Sequence, residues 1–171
     1  MMTAVGSAQP PAGGAMRDSF GGSLILVALD GSPGSDFAFN EAFALASLAK
    51  ARLCALCVVE RASRPVDPAL PFAEQDTGRP GPQVVARALS RARQICATYE
   101  IPCTVQTVDS CGDGVAATIV RVAAEQDAGL IVMGTRGASG LRRYWLGSVA
   151  EQVMRIAPCP VLLARAPHGL A

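Results

Sequence analysis

Five short apolar runs punctuate this chain, and between them hydrophobic residues recur at helical spacing. "SLILVAL" (Ser23–Leu29) and "RLCALCVVE" (Arg52–Glu60) are almost continuously apolar, the pattern of strands covered on both faces. "GLIVM" (Gly129–Met133) and "PVLLA" (Pro160–Ala164) read the same way, whereas "PCTVQTVD" (Pro102–Asp109) alternates and suits a sheet edge. After the first run, Ser32 is placed to cap a helix whose first residue is Pro33. That helix should reach about Lys50, with Phe39, Phe43 and Ala46 on one face. Val85, Leu89, Ala92, Cys96 and Tyr99 mark the inward stripe of a second helix over 83–99, with Arg87, Arg91 and Gln94 on another side. A third helix opens near Gly112 and Asp113 and turns Val115, Ile119, Val122 and Ala123 inward. A fourth should run from Gly147 to about Ala157.

Strand and helix alternate throughout, which predicts an α/β fold: a single three-layer domain around a largely parallel sheet. The expected domain spans 23–166. Residues 1–22, rich in Gly, Ala, Pro and Ser, are expected to be a disordered tail, and 167–171 a short C-terminal one. Pro65, Pro68, Pro71, Pro80 and Pro82 crowd the stretch 61–82, which reads as a flexible loop. In open parallel sheets, ligands gather beyond the carboxyl ends of the strands, where the strand order reverses. The loops after the first strand ("DGSPGS") and the fourth ("GTRGASGLRRYWLGSV") flank such a point if those two strands are neighbours. The element pattern alone does not force that order.

Composition narrows the partners. Among 171 residues, 15 basic against 14 acidic side chains leave a net charge of +1, so there is no bulk attraction to nucleic acid or anionic membranes. Any anion site must be local. No stretch is long and apolar enough to span a bilayer, and the first 22 residues lack the apolar core of a signal peptide, so a cytoplasmic protein is expected. Six cysteines sit mostly in apolar stretches. Cys54 and Cys57 form a C-x-x-C, but on one strand their odd separation sends them to opposite faces. A zinc or dithiol site needs them to converge; the alternative is small buried hydrophobes in a reducing compartment.

The stretch "GTRGASGLRRYWLGSV" carries the candidate chemistry. Gly134 and Gly137 let the backbone turn tightly and approach a ligand closely. Gly147 and Ser148 lead into a helix, whose first N–H groups attract phosphate, and Ser148 adds a hydroxyl. The spacing G-x2-G-x9-G-S is neither a Walker loop nor the dinucleotide G-x-G-x-x-G. A purely structural role competes: Ser148 and Glu151 form S-x-x-E, a capping box that satisfies the helix start without any ligand.

With these pieces in place, the chain resembles the universal stress protein family from about Leu24 to Arg165. "ILVALDGSPGS" and "LIVMGTRGASGLRRYWLGSVAEQVMRIAPCPVLLAR" carry the match, together with the element order. The family's nucleotide-binding members have G-x2-G-x9-G-[S/T], filled here by Gly134, Gly137, Gly147 and Ser148. The resemblance implies a five-stranded parallel sheet of order 3-2-1-4-5, the adenine nucleotide alpha-hydrolase-like, Rossmann-like fold, with ATP lying across strands 1 and 4. It puts Asp30 near the ribose and phosphates, where a Mg²⁺ would make a carboxylate useful; as a bare residue, Asp30 also fits a turn before a helix. It gives Val58 the backbone contact to adenine, and lines the opposite side with Met133 and Gly134. Gly137, Gly147, Ser148 and Val149 would then offer amides to the phosphates. Arg136, Arg142 and Arg143 either neutralise phosphate charge or project into solvent. Tyr144, Trp145 and Leu146 suit packing or partner contacts. Many relatives carry an acidic residue just before "LIVMG", where this chain has Gly129. AMP, ADP and cyclic AMP remain alternative ligands. The resemblance also implies a homodimer paired through the last strand.

No catalytic grouping stands out. The sole histidine, His168, falls in the expected tail, and no second carboxylate joins Asp30 by spacing. A nucleotide-dependent stress-response regulator or sensor is the expected role. The alternatives are a slow ATPase or other nucleotide-using enzyme, and a dimeric scaffold for an unidentified protein partner with a vestigial loop.

Overall fold

The computed structural model describes residues 23–60, 81–135 and 146–165. Five parallel strands, β1 (Leu24–Ala28), β2 (Arg52–Val59), β3 (Cys103–Asp109), β4 (Ala128–Gly134) and β5 (Val161–Ala164), form one sheet of order β3-β2-β1-β4-β5. Four helices connect them: α1 (Pro33–Ala49), α2 (Pro82–Thr98), α3 (Val115–Glu125) and α4 (Ser148–Ile156). The expected tails and most of the stretch 61–82 lie outside the described residues; Pro82 itself begins α2.

Side-chain alternation along the strands divides the core in two. Ile25, Val27 and Leu29, with Leu53, Ala55 and Cys57, meet α1 and α2 through Phe39, Ala42, Val85 and Leu89. Leu24 and Leu26, with Cys54 and Leu56, meet α3 and α4 through Ile119, Val122, Ala150 and Val153. This explains why β1 and β2 are continuous apolar runs: each residue has a packed layer to fill on its own side. It also puts Cys54 and Cys57 on opposite faces, so the C-x-x-C does not converge.

β3 lies at an edge, the place its alternation suited. An extra residue bulges β4 at its amino end, where Leu24 pairs with Ala128 but Ile25 with Leu130. Gly129 is that extra residue, and a Cβ there would come within 3.3 Å of Ser23 Cβ. Glycine thus suits a close approach at the end of the sheet opposite the candidate site.

Helix signals held where they were chemically explicit. Ser32 caps α1, its Oγ accepting from Ser35 N at 3.1 Å, and Pro33 is the first helical residue. Two readings need correction. Tyr99 is not part of the buried stripe of α2: it is the C-cap, 66% exposed, and reaches the core only by setting its ring edge against Phe43. Ser148 is not a cap: Gly147 is the N-cap of α4 and Ser148 its first helical residue. The Glu151 carboxylate accepts from Arg155 at 3.0 Å rather than reaching back, so the S-x-x-E capping box does not form.

Candidate functional site

The two strands flanking β1 outrun it. β1 makes its last pairs through Val27 with Val132 on one side and through Ala28 with Leu56 on the other. β2 continues to Val59 and β4 to Gly134. The backbone N–H and C=O of a parallel strand residue point to the same neighbour, and alternate residues repeat that direction. Leu29 N donates to Leu56 O (2.8 Å), so Val58, two residues on, turns its amide and carbonyl toward the β1 side. Ile131 N and Thr135 N instead bond β5-side carbonyls, so Gly134 faces β1 from the other side. The result is a notch beyond β1, edged by the Val58 and Gly134 backbones, with the chain leaving its floor through Leu29 and Asp30.

This is also where the connections change face. The chain leaves β1 and β2 through α1 and α2 on one side of the sheet, and β3 and β4 through α3 and α4 on the other. The notch is thus the topological switch point, where a doubly wound sheet binds ligands.

Asp30 is half-buried, and its Oδ1 accepts from Ser32 N at 3.0 Å, fixing the carboxylate against the turn. Gly31 follows with φ +76°, a left-handed conformation. A Cβ on it would stand 2.4 Å from Val84 Cγ1 in the first turn of α2, so only glycine fits both the dihedral and the space. Beneath Asp30 lies Cys57: burial, and secondarily the Asp30 charge, push its thiol up to about 11.

One wall of the notch is apolar. Val58, Met133, Leu146 and Val149 pack on the α3/α4 core, together with Ala28, Val108 and Val115. All but the buried Met133 are half-buried, so they form a rim at the strand ends rather than sealed core.

The start of α4 forms the other side. Gly147 N donates to Thr135 O at 2.8 Å, bringing the two ends of the 135–147 connection together directly after β4. The Gly147 amide is therefore engaged by the protein and is not a donor for a ligand, contrary to the expectation from the motif. The first intrahelical bond is Glu151 N to Gly147 O, at 2.9 Å, leaving the amides of Ser148, Val149 and Ala150 without an acceptor inside the helix. Ser148 is exposed and Val149 half-buried.

Of the predicted site residues, Asp30, Val58, Met133, Gly134, Gly147, Ser148 and Val149 come from four separate elements or loops to this one end of the sheet. Gly137, Arg136, Arg142 and Arg143 lie outside the described residues, as does His168. Sequence reasoning missed Gly31, although a glycine directly after a strand-ending aspartate was a signal for it. It also missed the apolar rim of Ala28, Val108 and Val115, because a rim valine and a core valine are indistinguishable in a strand pattern.

The universal stress protein family model matches residues 23–165. The chain belongs to the universal stress protein family. A putative universal stress protein of Staphylococcus haemolyticus is 31% identical over 141 residues, covering 82% of this chain and 83% of the relative. The crystal structure of a family protein from Burkholderia pseudomallei is 31% identical and superposes with a TM-score of 0.60, covering 85% of this chain and 97% of that one. Two more distant universal stress protein structures, each 23% identical, share the fold. One is in complex with cAMP (TM-score 0.58, 85% of this chain and 98% of that one). The other, from Archaeoglobus fulgidus, is in complex with dAMP (TM-score 0.57, 83% and 97%).

Among the described residues, no three His, Cys, Asp or Glu side chains gather to hold a metal ion, and no helix is long and apolar enough to cross a membrane.

Proposed function

We propose that this universal stress protein binds an adenine nucleotide, ATP in the first instance, in the notch beyond β1, and that the bound nucleotide sets its regulatory state. The observation that carries the proposal is the overrun of β1 by both neighbours. It supports a site in which Val58 meets an adenine edge with its backbone while its side chain, with Met133 and the half-buried rim, supplies the apolar wall. Gly134 leaves room on the opposite side. The Ser148 and Val149 amides, at the positive end of α4, and the Ser148 hydroxyl suit a phosphate chain. The absence of a formed capping box removes the competing use of that helix start. Asp30 suits a ribose hydroxyl or a Mg²⁺ carried in with the phosphates, while Gly137, Arg136, Arg142 and Arg143 would complete the cradle from the 136–145 stretch. The relatives bound to cAMP and dAMP support adenine recognition and keep monophosphates among the candidate ligands.

These residues bind and orient; none is placed as a general base, and the proposed role is a sensor rather than a fast ATPase. Regulation would pass through a homodimer. β5 is an edge strand with Leu162 exposed, and Met154 and Ile156 are exposed on the adjoining α4, a surface suited to a second copy.

The test is to denature freshly purified protein and chromatograph the released nucleotide. ATP near one per chain supports the proposal as stated, whereas ADP in its place moves the reading to a slow ATPase. Protein that carries no nucleotide and shows no heat with Mg-ATP in calorimetry overturns it in favour of a partner-binding scaffold.

A further inference from the structure

The turn that carries Asp30 meets α2 at one point. Gly31 bears no side chain, and Val84 Cγ1, from the first turn of α2, occupies the space in which its Cβ would stand. Glycine has the widest backbone freedom of any residue and the most entropy to lose when fixed. Gly31 is nevertheless held at φ +76°, and the hydrogen bond from Ser32 N to Asp30 Oδ1 spans it. The Val84 methyl thus rests on the soft joint between Asp30 and the start of α1.

The two helices that meet here start differently. α1 is fixed at its first turn: Ser32 Oγ accepts from Ser35 N, Ser35 Oγ donates to Ser32 O at 2.9 Å, and both serines are buried. α2 starts at Gly81, which has no side chain to accept from the first amides. The Val84 and Val85 amides share one acceptor, the Gly81 carbonyl, at 2.9 and 3.2 Å. Pro82 and Gln83 are exposed, and of this turn only Val85 enters the α1/α2 core. Further on, Leu89, Ala92 and Cys96 anchor the helix, and the exposed Arg91–Asp36 ion pair adds little. The first turn of α2 is therefore the part of this junction that opens at low cost.

We propose that the first turn of α2 responds to nucleotide in the notch through the contact of Val84 with Gly31. This role rests on the nucleotide site proposed above, in which Asp30 meets the ribose or a Mg²⁺. A ligand on Asp30 and a methyl group on Gly31 order the same joint from two sides. Whichever engages first bears the entropy of fixing the glycine, so the second engages more tightly. By linkage the effect is reciprocal: nucleotide closes the first turn of α2, and a seated Val84 tightens nucleotide. The nucleotide state thereby reaches α2, which covers β2 and β3, away from the β5 edge.

The experiment measures amide hydrogen exchange by NMR on the full chain, with and without saturating Mg-ATP, in the parent and in Val84→Ala. Calorimetry on the same samples measures binding independently. Alanine is a better helix former than valine, so a Val84 that serves the helix alone predicts a firmer first turn and unchanged affinity in the variant. The expected result is that Mg-ATP slows exchange at Val84 and Val85 of the parent severalfold more than at the amides of 90–98. Val84→Ala should still bind, about 5-fold more weakly, at the low end of couplings between sites because one methyl contact carries it, and should lose the added slowing. If Mg-ATP binds the parent without local slowing, or slows all of α2 alike, the link is overturned and the nucleotide site stands. A Val84→Ala variant that matches the parent in affinity and exchange overturns the link in the same way. If Mg-ATP gives no heat with the parent, the nucleotide site itself fails and the link falls with it.

Discussion

Gly31 joins the candidate site to α2, and Gly31→Ala is the sharpest probe of that junction. The residue has φ +76°, where a Cβ costs about 1–2 kcal/mol. The added methyl would also sit 2.4 Å from Val84 Cγ1 and 3.4 Å from the Val84 carbonyl carbon and oxygen. Val84 is β-branched and helical, so one strongly preferred rotamer limits its escape. Its 41% exposure shows that solvent is available on one side, which keeps the overpacking cost nearer 1 than 3 kcal/mol. The two contributions together give a loss of about 2–4 kcal/mol. At roughly 2–4 °C per kcal/mol for a domain of this size, melting should fall by about 5–15 °C. Val84→Ala removes the clashing atom but leaves the dihedral strain, so the double variant should recover about 1 kcal/mol relative to additivity. Urea unfolding of the four proteins in the cycle measures this. A Gly31→Ala stability within about 0.5 kcal/mol of the parent refutes the conformational reading, and strict additivity with Val84→Ala refutes the contact. Because Asp30 is held by Ser32 N across Gly31, the same variant should weaken nucleotide retention even at temperatures where it is fully folded.

Three further outcomes are expected. Gly147→Val should keep the fold, since φ −64° suits any residue and the amide can still reach Thr135, yet its side chain, directly before the open Ser148 and Val149 amides, should crowd out a phosphate and lose most nucleotide binding; unchanged affinity by calorimetry would remove the phosphate assignment at this helix start. Burial pushes Cys54 and Cys57 up to about 11 from 9.0, with smaller contributions from Cys103 and Asp30 respectively. Protonation is thus favoured in the folded state, so the stability these thiols contribute is complete below about pH 9 and declines as pH rises toward 11. Urea midpoints between pH 7 and 10.5 should fall less steeply in a Cys54→Ala/Cys57→Ala variant, and parallel curves would show the thiols have no part in alkaline unfolding. Leu162→Arg, on the open edge of β5, should convert a dimer to a monomer by light scattering; a parent protein that is already monomeric at micromolar concentration would refute the edge-paired dimer.

The layered architecture was legible because burial on both faces is a local property. A strand such as Leu24–Ala28 must be apolar at every position, and Ser32-Pro33 must start a helix, whatever else the chain does. The parallel α/β class follows from those elements alone. The motif spacing, too, named the loop after β4, and its family resemblance supplied the strand order that the structure shows.

What needed three dimensions was everything set by neighbours distant in sequence. That the Gly147 amide is taken by the Thr135 carbonyl, and so is lost to a ligand, depends on a contact that the motif's spacing does not show. That Val58 has an open backbone edge depends on where β1 stops, not on valine. Gly31 is required by Val84, 53 positions later, and Tyr99 is exposed because α2 has already ended beneath it. The separation of Cys54 from Cys57, by contrast, was already implied by their odd spacing on one strand. Hydrophobic periodicity encodes which side of an element is buried; only packing decides which groups from different elements share a space, and in this protein that sharing makes the site.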